Sequence, residues 1–193
     1  WLGFFVHRAL RQFATVAAAH ADPEFAGQCG HWANELADSL EAHAWDGRWY
    51  RRAWFDDGTP LGSTRSAECR IDSIAQSWSV LSSVAPAARA RQAMQSLSTH
   101  LVKPDASLVQ LLDPPFDRAE PDPGYIRGYV PGVRENGGQY THAAVWAAMA
   151  FAELGDARSA WAVARMINPV NHTRDAAGVQ RYRVEPYVMA ADV

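Results

Sequence analysis

The chain has 193 residues, 48% of them hydrophobic, enough for one substantial core and too apolar for a disordered segment. Net charge is −3 with a pI near 6.2, and the eighteen Lys and Arg residues are almost all arginine and scattered, which excludes a nucleic-acid or anionic-membrane surface. No apolar run reaches the roughly 20 residues of a membrane span, and Cys29 and Cys69 lack the spacing of a zinc site or disulfide framework, so no metal is expected.

In chain order, Leu2, Phe5, Val6, Ala9, Leu10, Phe13, Val16 and Ala17 recur at helical spacing and predict an amphipathic helix ending near Ala21. Asp22-Pro23-Glu24 starts a second helix, with Asp22 as N-cap, Pro23 at the first helical position, and Phe25, Cys29, Trp32, Leu36 and Leu40 as its buried stripe. The short break between them makes a helical hairpin. Trp45 to Phe55 is rich in aromatics: Asp46-Gly47 predicts a turn, Trp49 to Phe55 a short extended segment, and Asp56-Asp57-Gly58 a second turn. Thr59 to Ala67 reads as a loop. Ile71, Ile74, Ala75, Trp78 and Leu81 mark a third helix, and Pro86 opens a fourth with Ala90, Ala93, Met94, Leu97 and Leu101 inward.

Ser107 to Leu112 reads as extended and closes at Pro114-Pro115. A fifth helix spans Tyr140 to Leu154 and stops at Gly155; Asp156 caps a sixth, carrying Ala160, Trp161, Ala164 and Ile167 to Asn168-Pro169. A polar loop then leads to an extended stretch over Arg181 to Val188. Three helix pairs, with short breaks inside pairs and long Gly/Pro loops between them, fit a toroid of hairpins whose long loops are functional.

The stretch from Pro123 to Ala148 organises the rest. Its first half mixes glycine, proline, aromatic and basic residues and is an ordered loop; its second half starts a helix. Arg134, Glu135 and Asn136 precede Gly137-Gly138, and Tyr140, Thr141 and His142 fall in or near the first helical turn. A glycine-relaxed loop feeding a helix N-terminus offers free backbone N–H groups to an anion, and the arginine, carboxylate and histidine add a site for something both anionic and hydroxyl-rich. The plain alternative is a turn and a packing histidine. Asp56, Asp57, Glu68 and Asp72 fit solvated turn or helix-cap roles better than catalytic ones, and some of the eight tryptophans are expected to line a sugar pocket.

The series W-D-G-R-W-Y-R-R-A-W-F-D-D-G-T-P-L-G-S from Trp45, E-C-R-I-D-S-I-A-Q-S-W from Glu68, R-E-N-G-G-Q-Y-T-H from Arg134, and N-P-V-N-H with Y-R-V-E-P-Y-V from Asn168 resembles the glycoside hydrolase family 94 phosphorylases. The wording is most similar to 1,2-β-oligoglucan phosphorylases and the C-terminal domain of cyclic β-1,2-glucan synthases. The resemblance covers nearly the whole chain and implies an all-α fold, the later part of an (α/α)6 barrel with short extended segments in its loops. Residues 1–193 would then be one partial catalytic domain, truncated at both ends. It also implies inverting phosphorolysis of β-glucosides to α-glucose 1-phosphate, with inorganic phosphate as co-substrate and no cofactor. Inverting hydrolases need an acid and a base, whereas phosphate arrives already anionic and needs positioning.

By the same resemblance His142 binds phosphate, while Glu135, Arg134 and, more weakly, Gln139 and Tyr140 contact substrate. The general acid, an aspartate, is expected upstream of Trp1, and a threonine-glycine phosphate segment beyond Val193, so the isolated chain is expected to be inactive. Arg134 replaces a lysine of cellobiose phosphorylases, and Ala190, Ala191 and Asp192 stand where a glutamine is usual; both point away from cellobiose. The expected partners are a β-glucan oligosaccharide and phosphate, in the cytoplasm or the cytosolic part of a membrane-bound synthase, without nucleic acid or direct membrane contact and with a homodimer left open. An inverting hydrolase and a non-catalytic glucan-binding scaffold are the alternatives.

Overall fold

A computed structural model describes residues 1–193. The chain is all-α. Six main helices form three antiparallel pairs: α1 (Leu2–Ala19) with α2 (Pro23–His43), α3 (Ser73–Leu81) with α4 (Ala87–Leu101), and α5 (Thr141–Glu153) with α6 (Ala157–Ile167). Two short helices, α7 (Pro169–His172) and α8 (Ala176–Tyr182), follow. α3 packs against both α1 and α5, so the first helices of the pairs form an inner row.

Local chemistry explains the helix starts. The Asp22 carboxylate accepts from Phe25 N at 3.0 Å with Pro23 at the first position, and Asp156 accepts from Ser159 N at 3.0 Å. α3 begins two residues later than its apolar spacing implies. Ile71–Asp72 is strand β3, and the Asp72 carboxylate accepts from Ile74 N and Ala75 N, fixing the start at Ser73. β3 pairs with β6 (Leu112–Asp113), Ile71 opposite Asp113, which ties the two long loops together. β1 (Ala53–Trp54) pairs with β2 (Pro60–Leu61), and β4 (Val102–Lys103) with β5 (Leu108–Val109). The extended segment expected over Trp49–Phe55 is thus mostly irregular, and β2 lies within the expected loop.

The five predicted inward residues of α4 are all buried. Met94 and Leu97 pack with Val80, Ala147, Phe151 and Val163 in the larger core, each large side chain contributing about 1.5–3 kcal/mol. α3 is buried at every position from Ser73 to Val80. Its small residues permit close approach, and several of its polar groups are bonded: Ser77 Oγ to Ser73 O at 2.9 Å, and Gln76 Nε2 to Tyr50 O at 2.8 Å while its Oε1 accepts from Tyr50 N at 2.8 Å; Ser73 Oγ and Trp78 Nε1 have no partner.

Three expectations are corrected. α1 turns Phe4, His7 and Ala17 inward, and Leu2, Phe5, Val6, Phe13 and Val16 of the predicted stripe lie exposed, because the helix is apolar on two faces and α2 and α3 cover only one. Trp32 and Trp161 are exposed, with Val163 instead of Trp161 buried on α6. Finally, α7 and α8 occupy the expected polar loop, α8 takes in Arg181 and Tyr182 of the expected extended stretch, and residues 183–188 form no strand. Asn168 with Pro169, and Asp175 accepting from Gly178 N, cap helices too short to show an apolar period.

Candidate functional site

The loop from residue 114 to 140 is held by Asn136, which is fully buried. Its Oδ1 accepts from Phe116 N at 2.7 Å, and its Nδ2 donates to Phe116 O at 2.8 Å and Tyr129 O at 2.9 Å. The diglycine answers a steric need. A Cβ on Gly137, whose φ is +88°, would meet Pro115 at 2.9 Å, and one on Gly138 would meet Arg134 N at 2.8 Å and the Val193 carbonyl. Gly138 N donates to Arg134 O, and Gln139 N and Thr141 N donate to Val193 O and Ala191 O. The diglycine segment therefore spends amides on its own chain. The N–H groups of His142 and Ala143, in the first turn of α5, have no protein acceptor, and neither has that of Gly137.

Arg134 adopts a left-handed backbone with φ +52°. Its Nε donates to Asp192 Oδ2 at 2.8 Å and its guanidinium lies 5.0 Å from the centre of the Tyr129 ring. The Asp192 hydrogen bond holds the Arg134 pKa above its usual value. Glu135 is half-buried; its Oε2 is shielded from solvent, accepts no hydrogen bond and lies 3.8 Å from Arg134 Nε. Gln139 is buried with both amide ends engaged, Oε1 accepting from Val109 N at 2.9 Å and Nε2 donating to Thr141 Oγ1 at 3.2 Å.

Tyr140 bridges to Asp192 through the backbone, and its ring stands 4.3 Å from that of His142. His142 is exposed at the start of α5, makes no hydrogen bond through either ring nitrogen, and has its pKa lowered by desolvation. Arg134, Glu135, Asp192, Tyr140 and His142 thus form one chain of contacts around the α5 N-terminus. The start of α5 offers an anion two free amides and an imidazole N–H, and Glu135, linked to it through Arg134, has a carboxylate oxygen that accepts no hydrogen bond.

Four other carboxylates, Asp72, Glu68, Asp57 and Asp46, have structural work, whereas Asp56 makes no side-chain hydrogen bond or ion pair. Asp72 is fully buried, capping α3 and paired with Arg52, whose pKa it raises. Glu68 accepts from the N–H groups of Asp117, Arg118 and Ala119, at 2.9 to 3.0 Å. Asp57 accepts from Thr59 N within its turn. Asp46 accepts from Ser63 Oγ, Thr64 N, Thr64 Oγ1 and Arg51 Nε; burial opposes its ionisation, but these bonds outweigh it and hold the carboxyl below the usual range.

A cavity of about 540 Å³ beside the diglycine is lined by Gln139, Asp192, Val193, His172, Arg181 and Tyr182 among others; His142 and Glu135 do not line it. A second, of about 530 Å³, lies between Phe55–Glu68 and Phe116–Pro121. Two residues that motif reading passed over matter here. Asn136 was visible only as part of a motif, its partners being distant in sequence; Trp146, one helical turn after His142 and 4.6 Å from it ring to ring, was legible from the i, i+4 spacing.

Comparison with known proteins gives this geometry a setting. The model of the glycosyl hydrolase 94 superfamily catalytic domain matches residues 1–193. The chain is 49% identical over its whole length to the cyclic beta-(1,2)-glucan synthase NdvB of Rhizobium meliloti (strain 1021), covering 7% of that protein. It is 33% identical over 150 residues, 78% of the chain, to a 3-O-beta-D-glucopyranosyl-beta-D-glucuronide phosphorylase of Paenibacillus borealis. It is 28% identical over 181 residues, 93% of the chain, to an N,N'-diacetylchitobiose phosphorylase of Vibrio proteolyticus. The chain spans 19% and 22% of the lengths of those two phosphorylases. The chain belongs to the glycosyl hydrolase 94 superfamily.

Proposed function

Starting from that membership, we propose that the protein to which this chain belongs carries out inverting phosphorolysis of β-glucosides, and its reversal, with β-1,2-linked oligoglucans as substrates and α-glucose 1-phosphate as product. The observation that carries the reading is His142: an imidazole with both nitrogens unbonded, placed in the first turn of a helix beside two free backbone N–H groups. A phosphate oxyanion satisfies such donors without needing a base, which suits a phosphorylase better than a hydrolase. The β-1,2 preference rests on the identity with the glucan synthase along the full chain.

In this reading the three pairs α1–α6 are consecutive hairpins of an (α/α)6 barrel, and the apolar face left open on α1 is where another hairpin packs. Glu135 takes a sugar hydroxyl with its unpaired oxygen, and Arg134, held by Asp192, contacts the acceptor. Tyr140 borders the same site, and Gln139 braces it from beneath. The proton donor is an aspartate outside these residues, so the chain by itself is inactive. We place the activity in the cytoplasm or on the cytosolic side of a membrane-bound synthase; no helix here is long and apolar enough to cross a membrane.

Incubating the complete protein with linear β-1,2-glucan, cellobiose or laminaribiose, each with and without inorganic phosphate, and assaying glucose 1-phosphate tests the proposal. Phosphate-dependent product from β-1,2-glucan alone is expected. Free sugar released without phosphate would point to hydrolysis, and glucan binding without any turnover to a scaffold.

A further inference from the structure

A histidine that must present a fixed face to a ligand is ordinarily oriented by a hydrogen bond through its second nitrogen. His142 has no such bond. Its ring is instead bounded by two aromatic rings nearly perpendicular to it, Tyr140 at 4.3 Å and 77° and Trp146 at 4.6 Å and 84°. Edge-to-face contacts of this kind contribute about 0.5–1.5 kcal/mol each and are directional.

Trp146 is itself braced. It meets Trp78 at 5.3 Å and 77°, and Trp78 lies in the core on α3, the helix with no solvent face. Trp1 contacts Trp146 from another side at 6.4 Å. The line Trp78–Trp146–His142 therefore runs from the most buried helix to the exposed imidazole, through ring contacts alone.

We propose that Trp146 is a positioning residue for the anion site. It fixes the imidazole of His142, together with Tyr140, in the orientation that points a ring N–H toward inorganic phosphate, and it leaves both nitrogens available because it uses neither. This inference rests on the reading of His142 as a phosphate ligand. Trp146 acts through His142 and touches phosphate nowhere.

The test is a double-mutant cycle in the complete enzyme, measuring KM for phosphate, KM for the glucan and kcat separately. Trp146→Leu is expected to raise KM for phosphate about tenfold with KM for glucan within twofold. Trp146→Phe, which keeps a ring in place, should recover most of the loss, and thermal melts of both variants should show whether folding is intact. In a His142→Ala background Trp146→Leu should add almost nothing to KM for phosphate.

Equal rises in both KM values would make Trp146 a sugar platform and overturn the proposal. So would additive effects in the cycle, or an unchanged phosphate KM in Trp146→Leu. If Trp146→Leu does not fold, Trp146→Phe against Trp146→Met carries the same comparison. His142→Ala distinguishes the two levels: if it leaves phosphate KM unchanged, the phosphate reading itself falls and the positioning role with it; if it raises that KM and the Trp146 variants do not, only the positioning role falls.

Discussion

The two ends of the helical array are built by different means. At one end residues 20–22, 82–86 and 154–156 turn the chain within each pair, and their stabilising bonds join near neighbours: Asp22 to Phe25, Asp156 to Ser159. At the other end residues 44–72 and 102–140 are held by bonds that join distant positions: Asn136 to Phe116, Glu68 to residues 117–119, Arg52 to Asp72, Gln139 to Val109. The first end only reverses direction. The second shapes a surface with unsatisfied donors, and to keep those donors open it must satisfy everything else through long-range contacts.

Substitutions should show that contrast in graded form. The largest effect is expected from Asn136→Ala, which leaves Phe116 N, Phe116 O and Tyr129 O without their partner in the interior. A loss of about 3–4 kcal/mol in chemical denaturation would fit, and a loss under 1 kcal/mol would contradict the idea that this loop end depends on single distant joints. Next is His142→Ala in the complete enzyme. Phosphate use should fall about 100-fold, the scale of one lost oxyanion donor, with melting temperature and glucan binding almost unchanged; equal losses of phosphate and sugar binding would count against the assignment.

Asp46→Asn follows, at about 2 kcal/mol, since several hydrogen bonds to a charged carboxylate weaken together. Its folded pKa lies below the unfolded value of about 3.9, so the unfolded chain binds the extra proton. The stabilisation is therefore complete above that value and fades as pH falls through the folded pKa. Acid unfolding curves of the Asn variant should be flatter in that window. The smallest effect belongs to the short-turn end: Asp22→Ala or Asp156→Ala should cost about 1 kcal/mol each and leave kinetics unchanged.

The same contrast explains what could be read from sequence. The helix pairs, the Asp22 and Asp156 caps and the five-residue inner face of α4 follow from spacing within a few turns of chain, and all are present. Failures came where one residue had two possible partners. Nothing local said that α1 would turn Phe4 inward and leave Phe13 outside, because that choice belongs to α2 and α3. Nothing local said that the amides of Gly138, Gln139 and Thr141 would bond to Arg134 and to the segment ending at Val193. Asp72 shows the intermediate case: its role as a cap was legible, its burial against Arg52 was not.

α3 is buried at every position from Ser73 to Val80, and it packs between α1 and α5. Its amide protons can exchange with deuterium only when one of those neighbours lifts away, so this nine-residue segment should be the last in the chain to take up label. Its exchange rate then reports the opening free energy of the whole inner row, and a ligand seated at the start of α5 should slow it from a distance.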